Sequence, residues 1–125
     1  MNFPEDLKYT DDHEWVRLEG NIATVGVTDH AASELGDVVY IDIEMDGAVS
    51  KGDTIGTIEA VKTVADMFSP VSGTITEINT SLNDNPEVVN NDAYGDGWIV
   101  KIELTDATEL DGLMNASSYK ESIGH

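Results

Sequence analysis
Between Gly52-Asp53 and Ser69-Pro70 the chain carries two strand-like runs meeting at a lysine, and this segment narrows the folds open to it. Ile58 and Ala60 alternate with polar positions ahead of Lys62, and Val64 and Met67-Phe68 follow it less regularly. Period-two alternation sends successive side chains to opposite faces of a strand, while the glycine and proline pairs at the ends signal turns. Lys62 then stands at the tip of a hairpin, projecting into water. Val61-Lys62 lacks the Asn-Gly or Gly-X pair that two-residue hairpins favour, so a longer loop around a type I turn is expected.

The rest of the chain has the same short-strand texture. His13 to Leu18 and Asn21 to Val27 read as a hairpin turned at Glu19-Gly20, with Ala23, Val25 and Val27 on one face. Thr28-Asp29 can cap a short helix from His30 to Leu35, and Gly36 suits the left-handed residue after it. Asp37 to Ile43 reads as a strand with Val39, Ile41 and Ile43 inward, followed by turns at Asp46-Gly47 and Lys51-Gly52-Asp53. Gly73 to Ile78 is a further strand of thin apolar content. Within the polar stretch 79–97, Pro86 to Val89 could form one helical turn. Trp98 to Leu104 is the last strand, with Trp98, Val100, Ile102 and Leu104 on one face. Asp106 to Glu109 has capping-box spacing, and a final helix covers Ser117 to Ile123, ending at Gly124. About seven short strands with marginal helices predict an all-β sandwich or flattened barrel. Residues 1–8 form a weakly specified leader. Val49 to Gly56 and Pro70 to Ile75 echo one another on either side of Lys62, as two half-units related by a twofold would.

Composition sets the outer bounds. At 125 residues the chain is expected to form one unit, 1–125, with a core at about 20–104 and a helical segment at about 105–123. A chain of this length hides roughly 65% of its unfolded surface, enough for a real core. There is no cysteine, hence no disulfide framework or thiolate metal site. No apolar run approaches the ~20 residues of a bilayer span, and Met1 to Asp6 does not read as a signal peptide. The expectation is a cytoplasmic protein. Six Lys and Arg against 25 Asp and Glu give a net charge of −19, which argues against nucleic acid and anionic membranes as partners. That charge fits either a solubility device or steering toward basic patches on partner proteins.

Glu59 to Asp66, followed by Ser69-Pro70-Val71-Ser72-Gly73, resembles the lipoyl-attachment motif of the glycine cleavage system H protein family. The likeness extends to His13-Glu14-Trp15, Gly26 to Ala31, Leu35 to Tyr40 and Asp96-Gly97-Trp98 through Lys101, covering roughly residues 7–120. It implies a barrel-sandwich hybrid of the lipoyl/biotinyl type with short N- and C-terminal helices. It also implies lipoate in amide linkage on Lys62, in a non-catalytic, monomeric carrier. The partners implied are glycine decarboxylase (P protein), which loads an aminomethyl group from glycine, and a tetrahydrofolate-dependent aminomethyltransferase (T protein), which unloads it. Dihydrolipoamide dehydrogenase (L protein) reoxidises the dithiol, and lipoate-attaching enzymes install the group. A 2-oxoacid dehydrogenase lipoyl domain and a biotin carrier share a hairpin lysine, but the first has Asp before it and the second Met on both sides. Val61 and Thr63 fit neither. A lipoyl-relay role is compatible with the same residues, and an unmodified β-rich scaffold is the alternative of a different class.

A lysine is ordinarily a solvated surface charge. One flanked by small apolar residues at a bend is presented rather than packed, and acylation removes its charge and lengthens its flexible stem. Such a tether visits several active sites at high effective concentration. By the family pattern, Glu59 and Gly73 are read by the attaching enzyme, whereas Glu14 and Asp66 line the groove where the loaded arm rests. There a carboxylate pairs with an amine through a charge-assisted hydrogen bond. The same acidic residues could equally be solvated members of an acidic surface. His30 is a further candidate for facing the arm. Position 12 is Asp where relatives carry a small polar residue. Trp15 is a core candidate. His13, His30 and His125 are too widely spaced for a recognisable metal motif, and no calcium loop, phosphate loop or nucleophile triad is legible.

Overall fold
In the computed structural model, which describes residues 2–44 and 46–124, alternation of apolar and polar positions becomes two antiparallel sheets facing one core. Their strands in chain order are Lys8–Tyr9 (β1), Glu14–Glu19 (β2), Ile22–Val27 (β3), Val38–Ile43 (β4), Gly47–Val49 (β5), Thr54–Ala60 (β6), Val64–Phe68 (β7), Gly73–Ile78 (β8) and Val100–Leu104 (β9). The larger sheet has the order β1-β2-β3-β9-β8-β5 and the smaller β4-β6-β7; they do not close into a barrel. Helices are short: Asp29–Leu35 (α1), Val88–Asn91 (α2) and Ala116–Ser122 (α3), with 3-10 turns at Thr80–Asn83 and Ala107–Gly112.

Register explains the core. Val16 faces Val25, Ala23 faces Ile102 and Val25 faces Val100 in the larger sheet, while Ile58 faces both Ile41 and Ala65 in the smaller. These rows pack together as one buried cluster. A second cluster joins Phe3, Leu7, Tyr9, Trp15, Ala116 and Tyr119, so the leader is not loosely specified. It is pinned beneath α3, with the Tyr9 and Met114 backbones exchanging two hydrogen bonds of 2.8 Å. Trp15 is buried as expected, its Nε1 donating to the Ala93 carbonyl at 2.9 Å.

Several expectations are corrected. Val39 faces solvent, because a bulge between Val38 and Tyr40 places two consecutive residues on the outer face. Trp98 lies before β9 and packs against the second cluster instead of continuing the Val100, Ile102 and Leu104 row. β1 and β5 were not anticipated. The helical turn foreseen at Pro86 to Val89 forms at Val88–Asn91. Asp106 caps the following turn by accepting from Thr108 N–H, but Glu109 does not complete a capping box. Its carboxylate accepts from Ser72 N–H at 2.7 Å and Ser72 Oγ at 2.9 Å, tying the C-terminal segment to the turn before β8. The echoing segments lie antiparallel, with Val49 paired to Gly73 and Gly52 N–H donating to Ser69 C=O.

Gly73 has a packing reason to be glycine. A Cβ there would lie 2.1 Å from the Glu103 carbonyl oxygen of β9, a contact the backbone must move to relieve. Gly73→Ala is therefore expected to lower unfolding stability by about 1–3 kcal/mol, the scale of overpacking, as read from the urea midpoint.

Candidate functional site
The smaller sheet ends in the loop 61–63, and Lys62 is exposed at its tip. Ala60 N–H donates to Thr63 C=O at 2.8 Å, closing the bend around Val61 and Lys62. Neither residue has positive φ, so this is not one of the primed turns that need Asn-Gly or a leading Gly. The root of the bend is anchored. Val61 N–H donates to Asp37 C=O at 3.0 Å, and the Asn90 side chain clamps the same segment. Asn90 Nδ2 donates to Gly36 C=O at 2.7 Å while its Oδ1 accepts from Val38 N–H at 2.9 Å. The lysine stem passes over Gly36, where a Cβ would sit 3.1 Å from Lys62 Cε. Gly36 also has φ 79°, which side-chain-bearing residues rarely adopt, so glycine both ends α1 and leaves room for the arm.

Beside this pedestal, between α1, the start of β2 and β7, lies a groove of about 190 Å³. Its walls are apolar: Val27, Ala31, Leu35, Ile58, Ala65 and Met67. Carboxylates of Asp12, Glu34 and Asp66 stand around it, with Glu14 and His13 at the β2 end. The structure thus brings Glu14 and Asp66 together. His30 does not line the groove but reaches it through His13, with ring centroids 4.8 Å apart, and its Nε2 lies 3.6 Å from Glu34. Glu59 is exposed on the outer face of β6, and Gly73 is buried in the larger sheet, away from the hairpin strands.

Glu14 is the unusual group. It is buried, accepting from Phe68 N–H at 2.8 Å and more weakly from Thr10 Oγ1. Burial pushes its carboxyl from an ordinary 4.5 up to about 8; the Phe68 hydrogen bond opposes this and the nearby Asp12 charge adds to it. Near neutrality, then, the groove holds a protonated carboxyl. His13 has positive φ (64°), a strained conformation for a residue with a side chain. Its Nδ1 pairs with Tyr119 Oη at 2.9 Å, which in turn meets Thr28 Oγ1 at 2.8 Å. Burial first, and His30 second, lower the His13 pKa. Sequence reasoning missed His13, Glu34 and Asn90 as parts of the site. The one signal available was Asp11-Asp12-His13, a turn directly before β2.

Folding takes up a proton at Glu14 between about pH 4.5 and 8, because the folded carboxyl keeps a proton that the unfolded one releases. Its stabilising contribution is complete below the lower value and is lost as pH rises through the upper. Glu14→Gln should remove this dependence. Urea unfolding at pH 5 and 8.5 should show the native protein losing stability relative to the variant, by at most ~1.4 kcal/mol per pH unit across the window.

The family model for the glycine cleavage H-protein matches residues 7–125. The glycine cleavage system H protein of Salinibacter ruber is 55% identical over 122 residues, spanning 97% of this chain and 98% of its own. That of Bacteroides fragilis is 50% identical over 124 residues, spanning 98% of both. Among solved structures, the crystal structure of a glycine cleavage system H protein from Mycobacterium marinum superposes with a TM-score of 0.89 at 37% identity. It covers 98% of this chain and 100% of that one. A likeness that runs from end to end, through the anchored lysine hairpin as well as the sheets behind it, leaves one assignment: the chain belongs to the glycine cleavage H-protein family.

Proposed function
We propose that Lys62 is the attachment point through which this chain acts as the lipoyl carrier of the glycine cleavage system. The carrier role and its lipoyl cofactor follow from the family, whose members are carriers and not enzymes. The observation that supports Lys62 is its geometry. The amine stands exposed on a bend whose root is hydrogen-bonded to Asp37, with its stem lying over a glycine. An acyl group on Nζ fits there: water surrounds the amine, and an apolar-walled groove lies alongside.

When attached, the lipoyl group supplies a dithiolane that accepts the one-carbon amine unit from one enzyme and gives it up to another. The chain's residues supply the rest. The clamped hairpin root holds the origin of the arm in place while the lysine methylenes stay free to swing. Val27, Leu35, Ile58 and Met67 offer an apolar bed that excludes water, protecting a reactive adduct from hydrolysis. An ammonium brought into the groove meets Glu14, whose proton is released on pairing, with Asp12, Glu34 and Asp66 favouring the cation from around it. Glu59, exposed and three residues before Lys62, is open to the lipoate-attaching enzyme, as the family pattern implies. Gly73 belongs to that pattern through packing, which keeps β8 against β9.

In this reading glycine decarboxylase, the aminomethyltransferase and dihydrolipoamide dehydrogenase are successive partners of a monomeric, cytoplasmic carrier whose whole chain acts as one unit. Its acidity suits docking on basic surfaces. No helix among the described residues is long and apolar enough to cross a membrane. Two measurements test the assignment. After expression with lipoate and its ligase, the intact mass should rise by one lipoyl group, and Lys62→Arg should abolish the rise. The loaded wild type, but not Lys62→Arg, should support glycine-dependent bicarbonate exchange with a purified glycine decarboxylase. A mass shift that survives in Lys62→Arg would place the attachment elsewhere.

A further inference from the structure
Glu14 has a back as well as a front. It belongs to the wall of the groove and also to that of a separate cleft of about 170 Å³, set between the 10–13 loop, the turn at Lys51-Gly52 and the stretch Gly112 to Met114. Thr10 lines the cleft and not the groove, so its hydroxyl meets Glu14 from the side away from the arm. The loop joins β1 to β2, and Thr10 organises it. Its N–H donates to Glu14 C=O at 3.0 Å, and its C=O accepts from His13 N–H at 3.1 Å. Its Oγ1 accepts from Asp12 N–H and from Glu14 N–H, each at 3.2 Å. A hydroxyl has two lone pairs and one proton. With both lone pairs taken, the proton has one partner among the described residues, Glu14 Oε1 at 3.4 Å. The direction of that hydrogen bond is thereby fixed. Thr10 donates to the carboxyl whether or not the carboxyl is ionised.

We propose that Thr10 is a positioning residue for the loaded carrier: its hydroxyl secures Glu14 Oε1 from behind, as Phe68 N–H secures Oε2, and so readies the carboxyl to pair with the ammonium of the arm. The inference rests on the carrier function proposed above. A donor to a carboxylate favours its ionised form, and a carboxylate cut off from water depends on such donors. Each oxygen here has one donor from the chain and keeps acceptor capacity for the ammonium. An ammonium entering the groove leaves a carboxylate–ammonium pair and one proton released to water. A neutral amine takes the Glu14 proton and ends in the same pair with none released. Other charges bear on the balance. Asp12, Glu34 and Asp66 around the groove and Asp11 at the cleft oppose ionisation of Glu14, while Lys51 at the cleft and a protonated His13 favour it. Tyr9, also at the cleft, spends its hydroxyl on the Pro4 carbonyl. Among the described residues, Thr10 is the one side chain hydrogen-bonded to the carboxyl itself.

The test begins with the full-length chain before lipoylation, so that its first readout does not depend on the carrier function. The Glu14 side-chain carboxyl is titrated by carbon NMR on isotope-labelled protein. Thr10→Ser, which keeps the hydroxyl, should titrate with the wild type. Thr10→Val should shift the midpoint up by about one pH unit, the scale of one hydrogen bond to a charged group. A merely structural role would lower the urea midpoint without moving this titration. In the wild type the Thr10 Cβ resonance should move with the Glu14 midpoint, a reading that needs no variant to fold. The lipoylated proteins, loaded with glycine and purified glycine decarboxylase, are then followed for ammonia release without the aminomethyltransferase. Near neutral pH, Thr10→Val should release ammonia several-fold faster than the wild type, and Thr10→Ser at the wild-type rate. An unmoved Glu14 midpoint in Thr10→Val, or a Thr10 resonance indifferent to that midpoint, overturns the hydrogen bond. A moved midpoint with unchanged ammonia release overturns the role in the loaded state. A chain that titrates as expected but accepts no lipoyl group or no amine overturns the carrier function, and the role in the loaded state with it.

Discussion
The row Ile41, Ile58 and Ala65, turned inward against the larger sheet, is the constraint on which the rest of this structure depends. Because side chains alternate strictly along a strand, burying this row commits Glu59, Val61 and Val64 to the outside and sets where the bend must fall. A slip of one residue would drive Glu59 into the core and bring Ile58 into water. The core therefore holds the register of the hairpin, and the register holds Lys62 at its tip. A carrier lysine needs both a free amine and a fixed origin. Burial supplies the second without touching the first.

The neighbourhood of the hairpin divides labour in the same way. On one side, α1 and the start of β2 bring carboxylates to an apolar groove, and the buried Glu14 stays protonated near neutrality. A charged groove would hold water and counterions when empty. An apolar bed whose one buried carboxyl, Glu14, holds its proton costs less to leave vacant, yet that carboxyl can ionise when a cation arrives. Elsewhere in the smaller sheet, the bulge in β4 turns Val39 to water. Both features compromise stability slightly: one buries a titratable group, the other exposes apolar surface. Each lies within reach of the one lysine whose surroundings are arranged this way, and that coincidence carries the functional argument.

The strand hairpins, the helix α1, the burial of Trp15 and the place of Lys62 were legible because each follows from local pattern: alternation, a cap, a glycine after a helix. Thr28 does cap α1, accepting from Ala31 N–H at 3.1 Å, as its position before the helix foretold. What failed was non-local. Val39 read as inward because alternation was extended through a bulge that only the pairing with β6 creates. Glu109 read as half of a capping box because its spacing from Asp106 was right, while its carboxylate had a partner 37 residues away in Ser72. Phe3 and Leu7 read as a loose leader because what buries them is α3, from the far end of the chain.

The amino-acid sequence alone determined that this chain is a β protein built around a presented lysine, since strand period, turn residues and an attachment motif are all written within a few residues of one another. Tertiary structure alone decided the chemistry around that lysine. Glu14 becomes a proton-holding group only where β2, β7 and α1 close over it, and Asn90 becomes a clamp only when α2 meets the loop before β4. The reason is physical: secondary structure is set by contacts short in sequence, whereas desolvation, and the pKa that follows from it, depends on which distant elements remove the water.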